Sequence, residues 1–148
     1  MATYINNKKA LFDYDILEEF EAGIALPGTA VKSVRNGSGK LDGAHVVVRG
    51  GEAFLVGASI PPYQRANAPE DYDPETALKL LLSKKELKRL EIDSESKGLT
   101  IVPIQLYNAG RLIKLKIALA RGKKKHDKRE TIKARDTKRD LDRELKYS

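Results

Sequence analysis

The chain has 148 residues, with 28 Lys/Arg against 21 Asp/Glu, no cysteine and a net charge of +7. That length fits one domain with a real core, and the missing Cys excludes a disulfide framework and cysteinyl metal sites while suiting a reducing cytosol. No apolar run approaches the ~18 residues of a membrane span, and the opening MATYINNKKALFDYD has no apolar segment of a secretory signal.

Residues 14–26 alternate loosely, setting Ile16, Phe20 and Ala22 against Glu18, Glu19 and Glu21, and predict a strand. Glu19 and Glu21 share one face, which reads as a solvated face rather than an acid–base pair. Pro27-Gly28 punctuates the chain, and Thr29 is placed to cap a short helix through Arg35. Gly37-Ser38-Gly39-Lys40 imitates part of a phosphate-binding loop. Val34 stands where the first Gly belongs and Leu41 where Ser or Thr must follow, so that reading fails.

Residues 44–49 and 52–60 are β-rich, and Gly50-Gly51 between them suits a two-residue hairpin turn with positive φ. Pro61-Pro62 closes the second strand, and residues 64–73 read as loop. Asp73-Pro74-Glu75 carries helix-start signals, and Leu78, Leu81, Leu82, Leu87 and Leu90 recur at helical spacing, predicting one helix that ends near Gly98. A second hairpin spans residues 99–107 and 112–119 around Asn108-Ala109-Gly110-Arg111. On its second strand Ile113, Leu115 and Ile117 face the core, while Leu112, Lys114 and Lys116 face outward. The sum is five or six short strands with two or three short helices, an α+β chain that is mainly β, and an OB-like antiparallel barrel is the preferred architecture.

The charge is uneven. From Arg121 to Ser148 there are 12 Lys/Arg and 6 Asp/Glu, so +6 of the +7 falls in the last 28 residues. Only Ile132, Leu141 and Leu145 are large and aliphatic from Glu130 onward. The expected division is a barrel over residues 1–120 and a basic tail over 121–148, disordered alone and helical on a polyanion partner. Aromatic residues are few there, so phosphate contact outweighs base stacking; six such contacts would cost about 10³-fold in affinity between 50 and 200 mM salt. Of the two histidines, His45 reads as an ordinary half-buried strand ring. His126 lies among Lys and Arg, a poor place for a metal ion and a good one for a base or phosphate.

Several strings in order, NKKA at residues 7–10, EEFEAGIAL at 18–26, GTAVKSVR at 28–35, GEAFL at 51–55, DPETALKLLL at 73–82 and RGKKKHDKR at 121–129, resemble the SsrA-binding protein (SmpB) family. The resemblance implies an OB-like barrel that grips the tRNA-like domain of tmRNA, and an adaptor rather than an enzyme. It implies cytoplasmic rescue of stalled ribosomes by trans-translation, without a cofactor or a membrane, as a monomer in a one-to-one RNA complex. Carried over by position, the RNA face comprises Asn7, Lys8, Lys9, Tyr14, Glu21, Lys32, Arg35, His45, Leu81, Lys114, Arg121, Lys123 and Lys124. Glu21 would accept hydrogen bonds from base or 2′-hydroxyl donors. The tail residues His126, Asp127, Lys128, Arg129, Lys133 and Arg135 would meet ribosomal RNA at the decoding centre and in the empty mRNA channel. The chain departs from the family at Ala30, His45 and Ser83, where Glu, Tyr, and His or Asn are usual. The arginines usual before the KLLL string are also missing. The alternative is a general OB-fold RNA-binding or ribosome-associated protein, which accounts for the charge but not for the ordered strings.

Overall fold

The computed structural model describes residues 3–64, 70 and 72–123. In chain order the elements are β1 (Thr3–Asn6), α1 (Lys8–Asp13), β2 (Tyr14–Ile24), α2 (Gly28–Arg35), β3 (His45–Arg49), β4 (Glu52–Val56), β5 (Leu78–Leu81), α3 (Lys84–Ser96), β6 (Thr100–Ala109) and β7 (Leu112–Gly122). All seven strands form one antiparallel sheet in the order β1-β6-β7-β2-β5-β4-β3. The sheet curls over a core built from Phe20, Val34, Leu55, Leu80, Leu90, Leu106, Leu115 and Ile117. Its two outer strands, β1 and β3, are not hydrogen-bonded to each other, so the OB-like barrel stays open.

The two hairpins follow from local chemistry. Gly50 and Gly51 both have positive φ, 58° and 75°, as a two-residue turn of the β3–β4 kind demands. At the β6–β7 hairpin Ala109 pairs with Leu112, leaving Gly110-Arg111 as the turn, so β6 runs two residues further than the sequence suggested. β7 buries Ile113, Leu115 and Ile117 and turns Lys114 and Lys116 outward, as its period-2 pattern requires. The strand continues to Gly122, past the expected domain boundary.

The segment after Asp73 corrects the expectation of one long helix. Leu78–Leu81 is a strand that pairs with both β2 and β4, burying Leu78 and Leu80 and exposing Lys79 and Leu81. The helix-start signal is spent on a turn: the Asp73 carboxylate accepts from the Glu75 amide at 2.9 Å, and the Pro74 carbonyl accepts from the Ile60 amide at 2.9 Å. α3 begins only at Lys84, under a reciprocal capping box between Ser83 and Glu86. The departure at Ser83 thus supplies a good cap. Gly98, with φ 62°, follows the helix end as expected.

Three smaller corrections stand beside it. α2 begins behind Pro27 with no side-chain cap, so Thr29 does not serve as one. β4 ends at Val56 rather than at Ile60. β1 and α1 were not anticipated, because four and six residues carry too little periodicity to read. Among the described residues, no helix is long and apolar enough to cross a membrane.

Candidate nucleic-acid interface

The solvent-facing side of the sheet is built by β2 and β7. In their register Glu21 lies opposite Lys116 and Gly23 opposite Lys114, while Tyr107 on β6 lies on the other flank of Lys114. Phe20 and Ala22 point inward, so Glu19 and Glu21 point out. The Lys114 ammonium donates to Glu21 Oε1 at 2.7 Å, and Lys116 lies 3.7 Å from Glu19 Oε2. The outward face of β7 is therefore not a bare basic face, because β2 sets a carboxylate beside each lysine. Glu18 turns to the side and meets Arg89 of α3, whose guanidinium lies over the Phe20 ring at 5.8 Å. Such exposed pairs add little to stability, so their importance is in where they hold charge.

Tyr107 was not recognised in the sequence. It is buried beneath the Glu21–Lys114 pair and hydrogen-bonds to Glu21. Lys114 first, and Tyr107 second, hold the Glu21 carboxyl below its usual range. Burial, reinforced by the bond to Glu21, pushes the Tyr107 hydroxyl above its own. The signal was present in the hairpin: a two-residue turn at Gly110-Arg111 sets Tyr107 across from Lys114, whereas a four-residue turn hides that pairing.

Gly23 leaves the face open where its strand reaches β5. A Cβ placed there would stand 3.1 Å from Leu81 Cβ. Leu81, Gly23 and Lys114 thus form a row across β5, β2 and β7, and Leu81 is 59% exposed, an apolar side chain held out to solvent. Lys32 and Arg35 lie at the same end of the molecule. They are exposed on α2, whose other face buries Ala30, Ser33 and Val34. Arg35 donates to the Arg111 carbonyl at 3.1 Å, which ties α2 to the β6–β7 turn. Ala30 fills a buried place on that helix.

A second group gathers about α1, roughly 20 Å along β2 from Glu21. Lys8 and Lys9 are exposed on the helix, and Tyr14 is its half-buried C-terminal cap. His45, at the start of β3, is exposed rather than half-buried. Lys9, Asp13, Tyr14, His45 and Thr100 line a depression of about 290 Å³. Arg121 is paired in register with Asp15, and the Lys123 ammonium donates to the Leu11 carbonyl at 3.4 Å. These residues form a cationic and aromatic edge at the end of β7, from which the chain leaves the sheet.

Asn7 does not belong to either surface. It is 2% exposed and caps α1. Its Nδ2 donates to the carbonyls of Pro103 at 2.8 Å and Leu41 at 3.3 Å, and its Oδ1 accepts from the Ala10 amide at 3.2 Å. The side chain is consumed in joining β1, α1 and β6, which corrects its placement on an RNA face. Lys124 and the tail residues His126, Asp127, Lys128, Arg129, Lys133 and Arg135 lie outside the described residues. Among the described residues no group of three His, Asp or Glu side chains could hold a metal ion.

The arrangement offers positioned charge, carboxylate acceptors and exposed apolar and aromatic side chains. Such groups suit contact with a structured polyanion. The family described as SmpB protein matches residues 4–147 of this chain. The SsrA-binding protein of Microcystis aeruginosa is 47% identical over 141 residues, covering 95% of this chain and 92% of its own length. That of Acaryochloris marina is 48% identical over 141 residues, with the same two coverages. That of Syntrophobacter fumaroxidans is 49% identical over 137 residues, covering 93% of this chain and 84% of its own. A solved chain described under "tmRNA-SmpB: a journey to the center of the bacterial ribosome" superposes with a TM-score of 0.68 at 42% identity. The match covers 86% of this chain and 92% of that one.

Proposed function

We propose a function from a plain premise: this chain belongs to the SmpB protein family. It binds tmRNA and acts in trans-translation, the rescue of stalled ribosomes. The observation that carries this reading is the collinear match through nearly the whole chain, from the barrel into the basic C-terminal segment. The protein works as an adaptor rather than an enzyme, in the cytoplasm where ribosomes are. It supplies position and charge, and makes or breaks no bond itself.

The tRNA-like domain of tmRNA lies against the outer sheet face, with Lys114, Lys32 and Arg35 meeting phosphates and Leu81 packing on a sugar or base. Glu21, held ionised by Lys114 and Tyr107, keeps a second carboxylate oxygen for an RNA donor. The edge formed by Lys8, Lys9, Tyr14, His45, Arg121 and Lys123 leads into residues 124–148. His126, Asp127, Lys128, Arg129, Lys133 and Arg135 then contact ribosomal RNA at the decoding centre and in the empty mRNA channel.

A titration of the full chain at 50 and 200 mM salt tests this. The RNAs are the tRNA-like fragment of tmRNA, an elongator tRNA and an unstructured RNA of equal length. The fragment should be preferred, and the preference should survive the higher salt. Equal, salt-labile binding to all three would instead mark a general polyanion binder.

A further inference from the structure

Tyr63 follows Pro61-Pro62, which narrows the backbone conformations on its approach. The residue is 48% exposed. An exposed tyrosine alone means little. This one shares an open depression of about 350 Å³ with Lys32, Arg35 and Asn36. The Lys32 ammonium stands 6.0 Å from the ring centroid, at the outer limit of a cation–π contact, so that contact holds the ring only weakly. Lys32 and Arg35 sit on a helix anchored by buried Ser33 and Val34, and the Arg35 guanidinium is fixed on the Arg111 carbonyl. The helix thus sets the backbone of both cations, and the Arg111 carbonyl holds the Arg35 guanidinium before any ligand arrives.

The charge at this corner differs from that on the rest of the face. Lys79, Lys114, Lys116 and Arg89 each lie within 4 Å of a carboxylate. Among the described residues, Lys32 and Arg35 have no acidic partner. Two cations without carboxylates beside an exposed ring have the composition of a nucleotide site. The ring offers a stacking platform for a base, the two side chains meet its phosphates, and the Asn36 amide can address a base edge. Backbone phosphate binding alone would not need the ring. The depression lies beside the β6–β7 turn, from which Leu112 and Lys114 continue onto the sheet face, so one RNA can cover both.

We propose that Tyr63 stacks on an unpaired base of the bound RNA while Lys32 and Arg35 hold the adjoining phosphates. This rests on the RNA-binding function above and adds a residue that reads an unstacked base. The chain contains no tryptophan, so Tyr63→Trp places its only tryptophan at the site, and that residue can be excited apart from the remaining tyrosines. In the full-length protein this variant should bind the tRNA-like fragment as the unaltered chain does, with its emission quenched on saturation. Tyr63→Leu should bind roughly 5- to 150-fold more weakly, the range expected for losing one stacked base. Its salt dependence should be unchanged, because no charge is removed. Tyr63→Phe should bind normally. Both the quenching and the affinity loss are required. Unchanged emission in the saturated complex, or full affinity of a Tyr63→Leu protein, overturns the proposal. Absence of any fragment preference in the unaltered chain would instead overturn the function on which it rests.

Discussion

Asn7→Ala separates a residue that builds the fold from one that touches RNA. The substitution removes the N-terminal cap of α1, which costs about 1 kcal/mol. It also strips a donor from two carbonyls in the interior, those of Pro103 and Leu41. An orphaned buried polar group costs about 1–3 kcal/mol, and the shorter contact, to Pro103, dominates. The total is about 2–4 kcal/mol. For a domain of this size that corresponds to roughly 6–20 °C in Tm. Thermal unfolding followed by circular dichroism, with the RNA titration repeated well below Tm, measures both sides. The expected result is a large drop in Tm with unchanged affinity of the folded variant for the tRNA-like fragment. Asn7→Asp should be no better, since its carboxylate would face the same two carbonyls. An unaltered Tm combined with weakened RNA binding would refute the reasoning and return Asn7 to the interface.

The remaining predictions concern charge, backbone and tail. The folded carboxyl of Glu21 titrates below its ordinary value of 4.5, so the stability it contributes is complete above about pH 4.5. It is lost as pH falls through the lowered folded value, and Tm measured down to pH 3 should fall less steeply in Glu21→Gln than in the parent. Gly39 has φ 152°, and a Cβ there would stand 2.8 Å from Cδ1 of buried Ile5. Gly39→Ala should therefore cost about 1–3 kcal/mol in urea unfolding, while Gly122→Ala, which meets nothing within 4 Å, should stay within about 0.5 kcal/mol. Removing residues from Arg129 onward should leave tmRNA affinity nearly intact and abolish rescue in a reconstituted stalled-ribosome assay. An equal loss of tmRNA affinity would contradict the division of labour between barrel and tail.

Much of the sheet was legible because its signals are local. The period-2 pattern of residues 112–119 and the Gly50-Gly51 turn each report a geometry fixed within a few residues. Leu78–Leu81 was misread because its leucines satisfy a helical spacing as well as a strand alternation, and a four-residue strand is too short to decide between them. Pairing with β2 and β4 decided it. Asn7 was assigned to the RNA face only through the family resemblance, and its burial becomes visible once β6 and the loop carrying Leu41 bring their carbonyls to it.

The sequence by itself therefore determined the class of fold, the positions of both hairpins, the concentration of positive charge after Arg121 and, through its ordered strings, the family. Tertiary structure alone decided which cations are neutralised. Lys114 and Glu21 are 93 residues apart in sequence, Tyr107 lies on a third strand, and only the β2–β7 and β6–β7 registers join them into one network. Lys32 and Arg35 keep their charge unpaired, and Tyr63 stays exposed, because among the described residues no acidic side chain is set beside them. Composition counts charges, but screening and pairing depend on separations of a few ångströms, and those distances exist only once the chain has folded.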